Sequence, residues 1–100
     1  MILRVSEAIV RAGAEREFLA RLHELVADFP DRHPGLVRHE VLVDEADPRR
    51  IQYVSAWRDE ADLISYVGAR WRTEPVTFPG EERYLEAPLG LRHFRVDAAE

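Results

Sequence analysis

"IQYVSAWRDEADLISYVG", residues 51–68, is a strand that runs straight into a helix. Side chains alternate along a strand, so Ile51, Tyr53, Ser55 and Trp57 share one face and Gln52, Val54 and Ala56 the other. Asp59 is placed to cap the helix through its side chain, with Asp62 three residues on. Leu63, Tyr66 and Val67 form the buried edge of that helix, and Gly68 ends it. Both faces of the strand carry apolar residues, so the architecture turns on which face lies under the helices. The expectation is that Val54 and Ala56 lie beneath them, and that Tyr53 and Trp57 look out from the uncovered face.

Working toward the N-terminus, "DEADPRR" is turn chemistry with Asp47 before Pro48. In "GLVRHEVLVD", residues 35–44, Val37, Val41 and Val43 alternate with polar neighbours and predict a strand. Phe18, Leu22, Leu25, Val26 and Phe29 recur at spacings of three and four, the stripe of an amphipathic helix. Glu15 and Glu17 suit its positive end, Glu17 and Arg21 are spaced as an i,i+4 pair, and Pro30 closes it. Gly13 separates that helix from a first strand over residues 2–10. Toward the C-terminus, "LGLRHFRV", residues 89–96, is the last strand.

Residues 69–87 are too many for a structureless connection in a compact domain. "PGEERYLEA" predicts one or two helical turns there, and Trp71, Phe78, Tyr84 and Leu85 supply apolar surface. The segment is expected to be a lid or an arm reaching a partner. The order β-α-β-β-α-β is the split βαβ of ferredoxin-like α+β folds: a four-stranded antiparallel sheet with two helices on one face. The whole of residues 1–100 reads as one domain.

Four strands about 4.8 Å apart and roughly 20 Å long present a face of about 400 Å². Carrying Ile51, Tyr53, Trp57, Leu42 and Leu91, that face needs a cover. The economical cover is the same face of a second copy, which predicts a homodimer with an enclosed space between the sheets.

Composition excludes other classes. The net charge of −5 argues against nucleic acid, which calls for clustered positive charge. No apolar run approaches the roughly 20 residues that span a bilayer. "MILRVSEAIV" has no basic stretch ahead of an apolar core, so a cytoplasmic location is expected. Cysteine is absent, which removes thiolate catalysis and cysteine-based zinc sites. All the basic residues are arginine, and lysine and asparagine are missing; a GC-rich genome or heat adaptation would each account for that. His23, His33 and His39 have no partner at metal spacing, so no metal is expected. "DEAD" at 44–47 and again at 59–62 is a turn and a helix cap, with no phosphate loop to make it a helicase mark.

"AGAEREF", "PGL" at 34–36, "DEADPRRIQYVSAWRDEADLISYV" and "LRHFRV", in that order, resemble the antibiotic biosynthesis monooxygenase family of dimeric α+β barrels. The resemblance covers nearly the whole chain and speaks more for the fold than for a reaction. It implies either oxygenation of phenols, anthrones or quinols without a cofactor, or, in another branch, haem degradation. The haem branch uses an asparagine, a tryptophan and a histidine at positions that fall on Ser6, Tyr66 and about Val76 here. None matches, and no axial ligand is evident.

For the cofactor-free reaction the substrate supplies the chemistry. The protein binds a flat aromatic, promotes proton loss and keeps the oxidised carbon dry while O₂ reacts. Trp57 and Tyr53 are the expected walls, with Tyr66 and Trp71 at the rim. Arg4, Arg92 or Arg95 would hold an anion, Ser6 would donate a hydrogen bond, and His93 is the expected base. A non-catalytic dimeric protein that binds a small apolar ligand is the alternative, with packing roles for Trp57, Tyr53 and Trp71 and an interface role for His93. An isomerase or another proton-transfer enzyme on the same fold is a third possibility.

Overall fold

The first strand, β1 (Ile2–Ile9), carries aliphatic and polar residues on both faces and lies in the middle of the sheet. The computed structural model describes all residues 1–100. Gly13, at φ 89°, turns the chain into α1 (Glu15–Val26), whose buried side chains are Phe18, Leu22 and Val26. The Glu17 carboxylate accepts a hydrogen bond from the Tyr84 hydroxyl at 2.9 Å, in place of the expected partner Arg21. A single turn, α2 (Phe29–Arg32), follows. Pro30 stands in its first turn, where the missing N–H costs nothing, so Pro30 opens a new turn where the sequence predicted a stop.

The strand β2 (Leu36–Val43) begins with a bulge between Leu36 and Arg38. The extra residue turns Leu36 inward and leaves Val37 exposed, against the simple alternation expected of the valines. The strand β3 (Arg50–Trp57) leads into α3 (Glu60–Val67), capped by Asp59, whose carboxylate accepts the Asp62 N–H at 3.0 Å. A Cβ on Gly35 would collide with Cβ and Cγ of Asp62, so the approach of α3 to the start of β2 requires glycine. Beyond α3 the chain packs Trp71 and Phe78, forms a 3₁₀ turn (Glu81–Tyr84) and enters β4 (Gly90–Arg95).

The sheet order is β2-β3-β1-β4 with every pair antiparallel, and the fold is the ferredoxin-like α+β arrangement. No helix is long and apolar enough to cross a membrane.

One expectation is inverted. Arg4 pairs with Ser55 and His93, and Ser6 with Tyr53 and Leu91, so these residues share a face. That face lies beneath the helices: Ile51, Ser55 and Trp57 are buried, and Tyr53 packs against the main core with Phe18, Val26 and Phe29. The uncovered face carries Leu3, Val5, Glu7, Ile9, Leu42, Gln52, Val54, Ala56, Arg92 and Phe94. It is a mixed surface, crossed by bonds from Arg50 and Gln52 to the Glu7 carboxylate at 2.8 and 2.9 Å. Large aromatics bury more area than valine or alanine, and the stripe of α1 together with residues 69–87 is enough to roof them. The segment 69–87 therefore covers its own chain: Trp71, Phe78, Glu81 and Leu85 are all buried within it.

Candidate functional site

Between the sheet and its helical cover a cavity remains. Its floor is Arg4, Ser6 and Ala8 from β1 with Ile51 and Tyr53 from β3. Phe18, Leu22 and Phe29 close one side, Tyr66 of α3 another, and Val76, Glu81 and Leu89 the third. Only about 20 Å³ of the cavity admits the centre of a water molecule. On that measure a single water needs about 10–15 Å³, so the walls have closed on one another.

Four expected site residues meet here: Tyr53, Tyr66, Arg4 and Ser6 all line the cavity. Arg4 is 4% exposed and has no carboxylate partner. Its guanidinium donates to the Trp71 carbonyl and the Glu74 carbonyl, each at 2.7 Å, and to Nε2 of His93 at 2.9 Å. It also lies over the Tyr66 ring, 5.8 Å from the centroid. Burial lowers its pKa. Tyr66 is stacked on Trp57, with ring centroids 4.5 Å apart and planes 18° from parallel. Burial pushes its phenol up to about 12, against the opposing pull of Arg4. The Tyr53 phenol is raised by burial and by Tyr66, and its hydroxyl is bonded to Nδ1 of His39 at 2.8 Å. Neither Tyr66 nor Ser6 spends its hydroxyl on a hydrogen bond within the chain, and no sealed polar side-chain atom lacks a partner.

The remaining expected residues stand elsewhere. Trp57 is fully buried, donates Nε1–H to Ser55 Oγ at 2.9 Å and packs with Leu63 and Trp71. Trp71 belongs to that same packed end, with the Arg72 guanidinium 4.2 Å from its ring centroid. His93 does not line the cavity. Arginine only donates, so Nε2 of His93 is the acceptor and Nδ1 carries the proton. Burial, then Arg4 and Arg72, hold its pKa at about 4. It is therefore neutral near pH 7 with its lone pair engaged, and it is a poor base. Arg92 is on the uncovered face, and Arg95 is exposed beside Asp97.

Glu81 escaped the sequence reading. It is 3% exposed, borders the cavity and accepts the Phe78 N–H at 3.2 Å. Burial raises its pKa to about 7, with Glu82 adding to the rise. The signal was available in the spacing: Phe78, Glu81 and Leu85 recur at three and four, so Glu81 shares the buried stripe of its turn.

Ser6, Tyr66 and Val76, the positions assigned by register to the haem branch, all border this cavity without its residue types. The sequence model of the antibiotic biosynthesis monooxygenases matches residues 1–74. Among solved structures, a conserved protein from Methanosarcina mazei has a TM-score of 0.77 at 19% identity, over 94% of this chain and 90% of that one. An antibiotic biosynthesis monooxygenase gives 0.73 at 20%, over 100% of both chains. A mutant of SnoaB, a cofactor-independent oxygenase from Streptomyces nogalater, gives 0.70 at 20%, over 98% of this chain and 94% of that one. At these identities the likeness is one of fold. No curated protein matches the sequence. With the pattern matched from the first strand through Glu74, the chain belongs to the antibiotic biosynthesis monooxygenase family.

Proposed function

We propose that this protein oxygenates an electron-rich aromatic, a hydroquinone or an anthrone, with dioxygen and without an added cofactor. The site is the cavity between its own sheet and helices. The observation that carries this proposal is the lining: aromatic walls from Phe29, Tyr53 and Tyr66 enclose a buried cation, Arg4, and the uncommitted hydroxyls of Ser6 and Tyr66.

An anthrone loses a proton to become an electron-rich anion, and Arg4 beside it favours that charge. One electron passes from the anion to O₂, and the two radicals combine into a carbon–peroxide bond. Protonation of the outer oxygen gives a hydroperoxide, which expels water as the carbon becomes a carbonyl. The net change is CH₂ plus O₂ to C=O plus H₂O. Tyr66, with a pKa of about 12, stays protonated and serves as a hydrogen-bond donor to the peroxide.

A planar ring needs more room than the closed cavity offers, so the part of segment 69–87 that lines it, with Val76 and Glu81, acts as the lid that admits it. The cavity lies within one chain, and a homodimer is a separate part of the proposal: a second copy covers the open sheet face, where Leu42 and Phe94 are exposed. Light scattering that returned a monomer would remove that part alone.

Oxygen uptake with a panel of hydroquinones and anthrones, with no flavin or metal added, tests the reaction. Uptake is expected, and Ser6→Leu, which fills the cavity, is expected to abolish it with the circular dichroism unchanged. Thermal stabilisation by a panel member without uptake would make the protein a binding module. Neither response would overturn both readings.

A further inference from the structure

We propose that Glu81 is the proton acceptor of this site, a catalytic residue that takes the proton from the substrate's hydroxyl or acidic carbon and returns it to the peroxide. The proposal rests on the oxygenase reading above for its reaction, and on the position of Glu81 for its geometry.

Glu81 begins the 3₁₀ turn after Gly80, which takes φ 78° and directs the turn back over the sheet. The turn holds Glu81 inside, at 3% exposure, as part of the cavity lining. One carboxyl oxygen accepts the Phe78 N–H, which fixes the group's direction. The other has no hydrogen-bond partner in the chain and is not sealed in protein, and the residue lines the cavity. No arginine forms an ion pair with Glu81, in contrast to Glu7, Glu40, Glu60 and Glu86. A buried carboxyl is normally paired, because its charge is costly to desolvate. An unpaired one beside free space is suited to switching between charged and neutral forms as a proton arrives and leaves.

The other titratable groups at the cavity do not fit this role. Arg4 and Tyr66 keep their protons at neutral pH, Tyr53 is bonded to His39, and Nε2 of His93 is bonded to Arg4. Around Glu81 itself stand Phe78 and the exposed Glu82, which opposes its ionisation.

In each cycle the carboxylate accepts one proton as the substrate anion forms. It returns that proton to the outer peroxide oxygen after O₂ has bonded to carbon. The carboxyl therefore ends the cycle as it began, and the released water carries the two substrate hydrogens.

The test is Glu81→Gln, which keeps an acceptor for Phe78 N–H and removes the exchangeable proton. The expected result is a kcat lower by roughly 10²–10⁴-fold, with KM nearly unchanged and the acidic limb of the wild-type pH profile lost. Glu24→Gln, an exposed change on α1, is expected to leave the rate unchanged. A Glu81→Gln rate within threefold of wild type, or a persisting acidic limb, would overturn the role. Should the wild type consume no oxygen with any substrate, the oxygenase reading falls and a titration with 2-naphthol decides the fate of Glu81. Binding that changes through pH 7 in the wild type and is flat in Glu81→Gln would keep the carboxyl as the group that meets a ligand's hydroxyl. Binding that is flat in both would overturn it.

Discussion

Two ends of one layer, both between the sheet and its helices, are built on different rules. At one end Trp57, Leu63 and Trp71 pack solid, and the Trp57 N–H is spent on Ser55. At the other, Phe18, Leu22, Val26, Phe29, Ile51 and Phe78 form the larger core, yet Arg4, Ser6 and Glu81 lie among or beside them. The apolar periodicity is the same at both ends. The difference lies in polar accounting, closed at the first and left partly open at the second. Satisfied groups hold the fold together, and free ones are where a ligand would find its partners.

The packed end is the more costly of the two to disturb. Trp57→Ala is expected to cost about 3–5 kcal/mol, the range for removing a large buried aromatic. Urea denaturation would show the midpoint falling accordingly. A loss below about 1 kcal/mol would mean that this end is not the structural one. Tyr66 stacks on Trp57, so the cavity wall is expected to loosen as well.

Arg4 joins the two ends, since it lines the cavity while binding the Trp71 and Glu74 carbonyls. Arg4→Met keeps the length and apolar stem but leaves two carbonyls without a donor. The expected cost is about 2–3 kcal/mol, the lost charged hydrogen bonds being offset in part by the burial of one fewer cation. Limited proteolysis should then cut within residues 69–80 faster than in the wild type. The His93 pKa, held at about 4 partly by Arg4, should rise in a proton NMR titration. An unchanged His93 would show that Arg4 does not control that ring.

Most of the fold was legible because its signals are local. The strand-to-helix passage at 51–68, the Asp59 cap and the stripe of Phe18, Leu22 and Val26 each follow from spacing within one element. Which face of β3 is covered is not local. Tyr53 and Trp57 compete with Val54 and Ala56 for the helices, and the winner depends on the roof that α1 and residues 69–87 can build together. The bulge at Val37 was likewise hidden, because an extra residue in one strand is visible only against its partner. Of the site, Arg4 and Ser6 could be placed from alternation along β1, and Tyr66 from the edge of α3. Trp57, Trp71 and His93 are engaged by neighbours that lie far off in sequence, the tryptophans in packing and the histidine in its bond to Arg4. Glu81 and Glu82 are adjacent and identical in type. The spacing from Phe78 and to Leu85 is what separates them, and it puts Glu81 on the buried side.

The smallest expected effect is also the most specific to the open end. Glu81 has its pKa raised to about 7 from an ordinary 4.5, so the folded state binds a proton more tightly than the unfolded one. Its stabilising contribution is therefore complete below about pH 4.5 and is lost as pH rises through about 7. His93 works in the opposite direction: its pKa falls from 6.5 to about 4, so it withdraws stability as pH falls through that range. The wild-type curve alone thus blends two opposing slopes between about pH 4.5 and 6.5. The difference between wild type and Glu81→Gln cancels the histidine and isolates the carboxyl. That difference should move by roughly 1–3 kcal/mol in favour of the glutamine variant from pH 4 to pH 8, read from urea midpoints at each pH. A difference that stays flat would mean that Glu81 ionises as an ordinary carboxylate. It would then carry a fixed charge beside the cavity near neutral pH, and nothing in its surroundings would tune it to trade a proton there.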